Sequence, residues 1–171
     1  MLNLHKTRNQ LMAIKPKITV FILFFTITLS LLSCKKEKND VIPDVYVDFY
    51  ISLSDPLFFD LAVPLNFVYV NASTNNLGSK AAGYDNNGII IFRSQEYEFL
   101  AFDRTCPHDY AVNSLSVQVN VEDMLYAVCP ECKSKYALPN FGTPLSGSVS
   151  KYPLKNYKTS FDGVNVHVWN Y

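Results

Sequence analysis

The chain has 171 residues, room for one domain and an appendage, and 49% of them are hydrophobic, with 11 Tyr and 12 Phe, which excludes a disordered chain. Formal charge sums to zero, but residues 1–33 carry Lys6, Arg8, Lys15 and Lys17 and no acid, so the remainder holds 11 basic and 15 acidic residues, about −4 net. Such a remainder lacks the basic face that nucleic acid selects, so no nucleic-acid partner is expected.

The first element is an apolar run from Ile18 to Leu32 behind that basic start. It is short of the roughly 20 residues that span a bilayer, and it has the layout of a secretory signal. It ends Leu31-Leu32-Ser33-Cys34, which resembles a lipobox. The expectation is a signal peptide over residues 1–33, removed so that Cys34 becomes a lipid-bearing N-terminus. The alternative is an uncleaved anchor helix that happens to end in Cys. Residues 34–44, polar at first, read as a tether, and residues 45–171 as the folded domain.

From Val45 onward short apolar segments alternate with turn signals, and no long stretch has a helical period. Strands are expected at Val45–Ile51, Asn66–Val70, Gly88–Phe92 and Tyr97–Phe102, with turn signals at Asn75-Asn76 with Gly78 and at Asn86-Asn87-Gly88. Val117–Val121 and Met124–Val128 flank Glu122-Asp123 as a hairpin. Tyr157–Phe161 and Val164–Val168 flank Asp162-Gly163, a sequence suited to a tight type I′ turn. His167 alternates with Val166 and Val168 and is expected to face solvent. The pattern predicts one all-β, antiparallel domain.

Two stretches carry chemistry: Cys106-Pro107-His108 and Cys129-Pro130-Glu131-Cys132. With Cys34 given to lipid, three cysteines remain, an odd number that a complete disulfide framework cannot use. Thiolate and imidazole ligate iron–sulfur clusters and zinc, so Cys106, His108, Cys129 and Cys132 are the candidate metal ligands. A 2Fe–2S cluster, a zinc ion, and no metal at all remain open on these residues. Asp103, ahead of the first stretch, reads as a turn residue.

The order of these motifs resembles the Rieske family. Cys106-Pro107-His108 and Cys129-Pro130-Glu131-Cys132 are followed by Ser134 and Tyr136, then Gly142-Thr143-Pro144, Pro153-Leu154-Lys155-Asn156-Tyr157 and the last strand. The resemblance covers residues 64–170 and is strongest to small Rieske-like lipoproteins of Gram-negative bacteria. It implies a β sandwich with a small metal-binding subdomain of two loops. It further implies a 2Fe–2S cluster, with Cys106 and Cys129 on one iron and His108 on the other. Cys132 stands where the family has a second His, and the added negative charge is expected to lower the potential. Ser134 and Tyr136 stand where the family donates hydroxyl hydrogen bonds to the cluster and a cysteine sulfur. The positions of the respiratory members' loop disulfide are Ala111 and Glu131, so that bridge is absent.

The resemblance implies a membrane-anchored electron carrier or redox sensor, on the periplasmic side or the cell surface, with a redox partner protein. A stand-alone enzyme is not expected, and a complete Rieske oxygenase least of all, since that needs a further, larger domain. The alternative is a non-catalytic lipoprotein module with zinc or no metal in the same site.

Overall fold

The computed structural model describes residues 39–74 and 81–171. The expected signal peptide, the lipid site at Cys34 and the turn at Asn75-Asn76 lie outside the described residues. Among the described residues no helix is long and apolar enough to cross a membrane.

Six strands form one antiparallel sheet: β1 (Asp48–Ser52), β2 (Asn66–Val70), β3 (Ile89–Gln95), β4 (Glu98–Asp103), β9 (Asn156–Phe161) and β10 (Asn165–Trp169), in the order β1-β10-β9-β4-β3-β2. Four short strands form a second sheet in sequence order: β5 (Asn120–Glu122), β6 (Tyr126–Val128), β7 (Lys135–Ala137) and β8 (Thr143–Pro144). The all-β antiparallel architecture expected from the alternating pattern is present, with a small second sheet set apart from the main one.

The central strands explain the unbroken apolar run in the sequence. Successive side chains of a strand face opposite ways, so a strand covered on both faces needs no polar alternation. Ile89 and Ile91 of β3 enter one core with Val47, Phe49, Val166 and Val168, on the face where the six-stranded sheet curls over itself. Ile90 and Phe92 enter a second core with Leu100 and Phe102 of β4 and with Cys106, Cys129 and Tyr136. The candidate ligands therefore sit in the layer between the large sheet and the small one. Burial there removes water from the sulfurs and fixes their loops by packing.

Four local features differ from the sequence reading. A helix, α1 (Pro107–Asn113), follows the first ligand directly. It is too short to show a period. Its signals are Pro107 at the first helical position and Ser114, whose left-handed φ of 55° ends it. The last hairpin does not close in a two-residue type I′ turn. Phe161 pairs with Val166, only Gly163 takes a positive φ (103°), and the Asp162 carboxylate accepts from the N–H groups of Val164 and Asn165 at 2.8 and 2.6 Å. The aspartate side chain builds the turn that backbone twist was expected to build.

His167 is not free in solvent. Its Nε2 lies 2.8 Å from Asp48 Oδ1, and its ring stacks on Tyr50 and Trp169 at 4.1 and 4.4 Å. Those partners come from the neighbouring strand β1 and from the alternate position on β10, which a one-strand reading cannot supply. The described part of the segment read as a tether, residues 39–44, packs on the domain. Asn39 and Ile42 are 2% and 1% exposed, Asn39 donates to the Pro153 carbonyl at 2.7 Å, and the Lys155 ammonium reaches the Ile42 carbonyl and Asp44 at 2.7 Å each.

Candidate metal centre

The first site loop leaves β4 through Asp103, Arg104 and Thr105, all buried. Asp103 holds this exit. Its carboxylate accepts from the Tyr157 hydroxyl at 2.6 Å, the Tyr84 N–H at 2.7 Å and the Thr105 N–H at 2.8 Å. The Arg104 guanidinium lies over the Tyr69 ring at 3.8 Å and donates to Val119 O and to Asn120 Oδ1. Cys106 N–H donates to the Val117 carbonyl at 2.8 Å. The loop is thus fixed before the first ligand is reached.

The second site loop joins β6 to β7. Cys129 N–H donates to the Ser134 carbonyl at 3.0 Å and Lys133 N–H donates back to the Cys129 carbonyl at 3.2 Å, making a knuckle of Cys129–Ser134. Lys133 adopts φ +60° to close it. The knuckle turns both sulfurs, Cys129 and Cys132, inward.

Three free thiols meet where the loops face each other. Cys106 and Cys132 Sγ are 3.6 Å apart, and the Cys129 thiol donates to Asp109 Oδ2 at 2.8 Å. One donor atom from each of Cys106, Asp109, Cys129 and Cys132 lies within 4.8 Å of every other. Three of the four ligands expected from the sequence come together. His108, the fourth, is half-buried on α1 and is not one of this group.

The helix accounts for the difference. Cys106 is its N-cap and Asp109 its third residue. Side chains at those two positions meet, as in a capping box, whereas residues two apart do not share a helix face. Asp109 is therefore a site residue that the sequence reading missed. The signal was present as Cys106-x-x-Asp109, the same spacing as Cys129-x-x-Cys132, once Pro107 is seen to start a helix.

Ser134 and Tyr136, both buried, stand next to the sulfurs. Tyr136 Oη is 3.3 Å from Cys106 Sγ, and the Cys132 thiol lies 3.3 Å from Ser134 Oγ, which also accepts from Ser150 N–H at 3.1 Å. Burial and the neighbouring Cys106 sulfur push the Tyr136 hydroxyl well above its usual range, so it stays a donor.

The thiols are polarised against one another. The neighbouring Cys129 thiol, against the opposing effect of burial, brings Cys106 down to about 7. The neighbouring Cys106 sulfur, burial and the Asp109 carboxylate push Cys129 up. Burial pushes Cys132 up. Burial also opposes ionisation of Asp109, but the neighbouring thiols, Cys129 first among them, outweigh it and hold the carboxyl below its usual range. Metal binding would release the thiol protons.

Three thiolates and a carboxylate are a competent donor set for iron or zinc. Two sulfurs bonded at about 2.3 Å to one tetrahedral ion stand about 3.8 Å apart, close to the Cys106–Cys132 separation of 3.6 Å. The donors fit a metal in kind, and their spacing is that of ligands sharing one centre.

No protein-family model matches the chain, and no curated protein does. The chain is similar to solved structures. One is the ferredoxin of carbazole 1,9a-dioxygenase from Nocardioides aromaticivorans, at 14% identity and TM-score 0.43 over 75% of this chain and all of that one. Another is an NADH-dependent nitrite reductase small subunit from Mycobacterium tuberculosis, at 18% identity and TM-score 0.39 over 75% and 98%. A third is an NADPH nitrite reductase small subunit, at 15% identity and TM-score 0.38 over 73% and 98%.

Proposed function

We propose that this protein is a membrane-tethered Rieske-like electron carrier whose iron–sulfur centre, a 2Fe–2S cluster, is held by Cys106, Cys129, Cys132 and one further protein ligand. The observation that carries this reading is the convergence of three thiols, Cys106 and Cys129 buried and Cys132 half-buried, with the hydroxyls of Tyr136 and Ser134 each 3.3 Å from one of their sulfurs. The cluster, when bound, supplies one-electron chemistry.

The chain's own residues set the conditions for it. Once the thiols are ionised, the Tyr136 and Ser134 hydroxyls can donate to the ligand sulfurs and withdraw electron density from them, which favours the reduced state. The second core excludes water from the sulfurs, and the Asp103 and Arg104 bonds limit how far the loops move on a change of charge. A purified sample should show one reversible one-electron wave between about −400 mV, typical of all-Cys plant-type clusters, and about −150 mV, the lower end for Rieske centres. A sample with no wave in that window would overturn the reading.

A second reading rests on the 3.6 Å separation of Cys106 and Cys132, which suits a single zinc ion that staples the two loops. It predicts a colourless protein with no redox wave.

Tethering belongs to the same proposal. The basic start and Leu31-Leu32-Ser33-Cys34 support lipid attachment at Cys34, on the periplasmic side or the cell surface of a Gram-negative bacterium, with a redox partner protein reached from there. Cys34→Ala should move the protein from the membrane to the soluble fraction. Retention in the membrane with an uncleaved leader would favour an anchor helix instead.

A further inference from the structure

We propose that the fourth protein ligand of this centre is Asp109, through a carboxylate oxygen, and not His108. The inference rests on the reading that the site is a metal centre, and the donors' spacing, all within 4.8 Å of one another, is that of ligands to a single ion.

Three observations point to it. Asp109 Oδ2 lies 2.8 Å from Cys129 Sγ, and a carboxylate oxygen of Asp109 falls within 4.8 Å of all three sulfurs, while His108 is outside the group. The helix sets this choice, because Cys106 at the N-cap meets Asp109 three residues on and not His108 two residues on. Finally, Asp109 is 4% exposed, deep for an acid on a seven-residue helix, and its carboxylate faces the site: it accepts a hydrogen bond from the Cys129 thiol, and its backbone carbonyl accepts from Ser114 and Leu115 to close α1. A carboxylate is costly to bury, and a metal at the three thiolates would place positive charge directly beside it.

The balance of charge follows. Binding a divalent ion releases the remaining thiol protons, including the one that Cys129 shares with Asp109, and the freed carboxylate oxygen turns from hydrogen-bond acceptor to ligand. A carboxylate leaves the centre more negative than imidazole would. His108 is left at the rim of the site.

Cobalt(II) is the probe, because its bands report both geometry and the number of bound thiolates. The full-length protein in detergent, reduced and stripped of metal by a chelator, is titrated with cobalt(II) against a competing chelator. The parent should bind one ion with tetrahedral ligand-field bands and thiolate charge transfer. Asp109→Asn should weaken binding by more than about 100-fold, beyond the roughly 10–100-fold that loss of an outer-shell partner costs. His108→Asn should keep the parental affinity.

Asp109→Cys is the second variant, and it is decisive even if the Asn variant folds poorly. It should keep tetrahedral binding and add a fourth thiolate to the charge-transfer band, which a residue that only positions Cys129 would not do. A fourth-thiolate signature in His108→Cys and not in Asp109→Cys would overturn the assignment, as would an Asp109→Asn variant with parental affinity. A parent that binds cobalt as described but shows no redox wave would sink the electron-carrier reading and leave the ligand assignment standing. A parent that binds no cobalt sinks both.

Discussion

Cys129→Ser should empty the metal site and lower the midpoint of thermal unfolding by more than about 10 °C. Cys129 is fully buried at the end of β6, in the core that joins the two sheets. Its sulfur is the contact between the knuckle and Asp109 of the first loop, while its backbone closes the knuckle on Ser134. Serine keeps the size and the backbone bonds but is a poor ligand at neutral pH. The effect therefore isolates what the metal contributes. A structural metal can supply about 10 kcal/mol or more of folding energy in a small site, and losing even a third of that would be plain in a melting curve. Differential scanning calorimetry with metal analysis of both proteins checks it. A variant that loses its metal but melts with the parent would mean that core packing alone holds the loops.

Asp103→Ala should cost about 3–5 kcal/mol and lower the melting midpoint by about 10–20 °C. The carboxylate is fully buried and serves three donors, from the Tyr84 backbone, the Thr105 backbone and the Tyr157 hydroxyl. Alanine leaves all three unpaired, the Thr105 N–H and the Tyr157 hydroxyl buried and the Tyr84 N–H half-buried, and each buried one costs about 1–3 kcal/mol. Burial, with the Asp103 charge next, pushes the Tyr157 hydroxyl above its usual range, so it remains a donor at every working pH. Tyr157→Phe removes one bond and strands no donor, and should cost about 1 kcal/mol. The contrast between the two variants, read by denaturant unfolding, separates a hub from a single bond. Equal losses would contradict the account. Because Asp103 fixes the exit of β4 three residues before Cys106, the alanine variant should also bind metal more weakly.

Much of the fold was legible because its strands are either alternating or wholly apolar. Ile89-Ile90-Ile91-Phe92 reads as a doubly covered strand, and the structure covers it with a core on each face. The three thiols were legible from Cys106 and the Cys129-x-x-Cys132 spacing. What was not legible depends on contacts between segments distant in sequence, or on helices too short for periodicity. Asp103 read as a turn residue because its partners Tyr84 and Tyr157 lie 19 and 54 residues away. Asp109 was passed over because a single turn of helix decides whether position two or three faces Cys106. Asn39 and Ile42 read as tether because their partners, Pro153 and Lys155, come from the other end of the chain.

Metal and acid-labile sulfide analysis, with a visible spectrum, of full-length protein purified from membranes without air decides whether the three thiols hold an iron–sulfur centre. Iron and sulfide should be present in equal amounts, in a coloured protein whose absorbance bleaches on reduction. A colourless protein carrying one zinc and no sulfide would contradict an iron–sulfur centre.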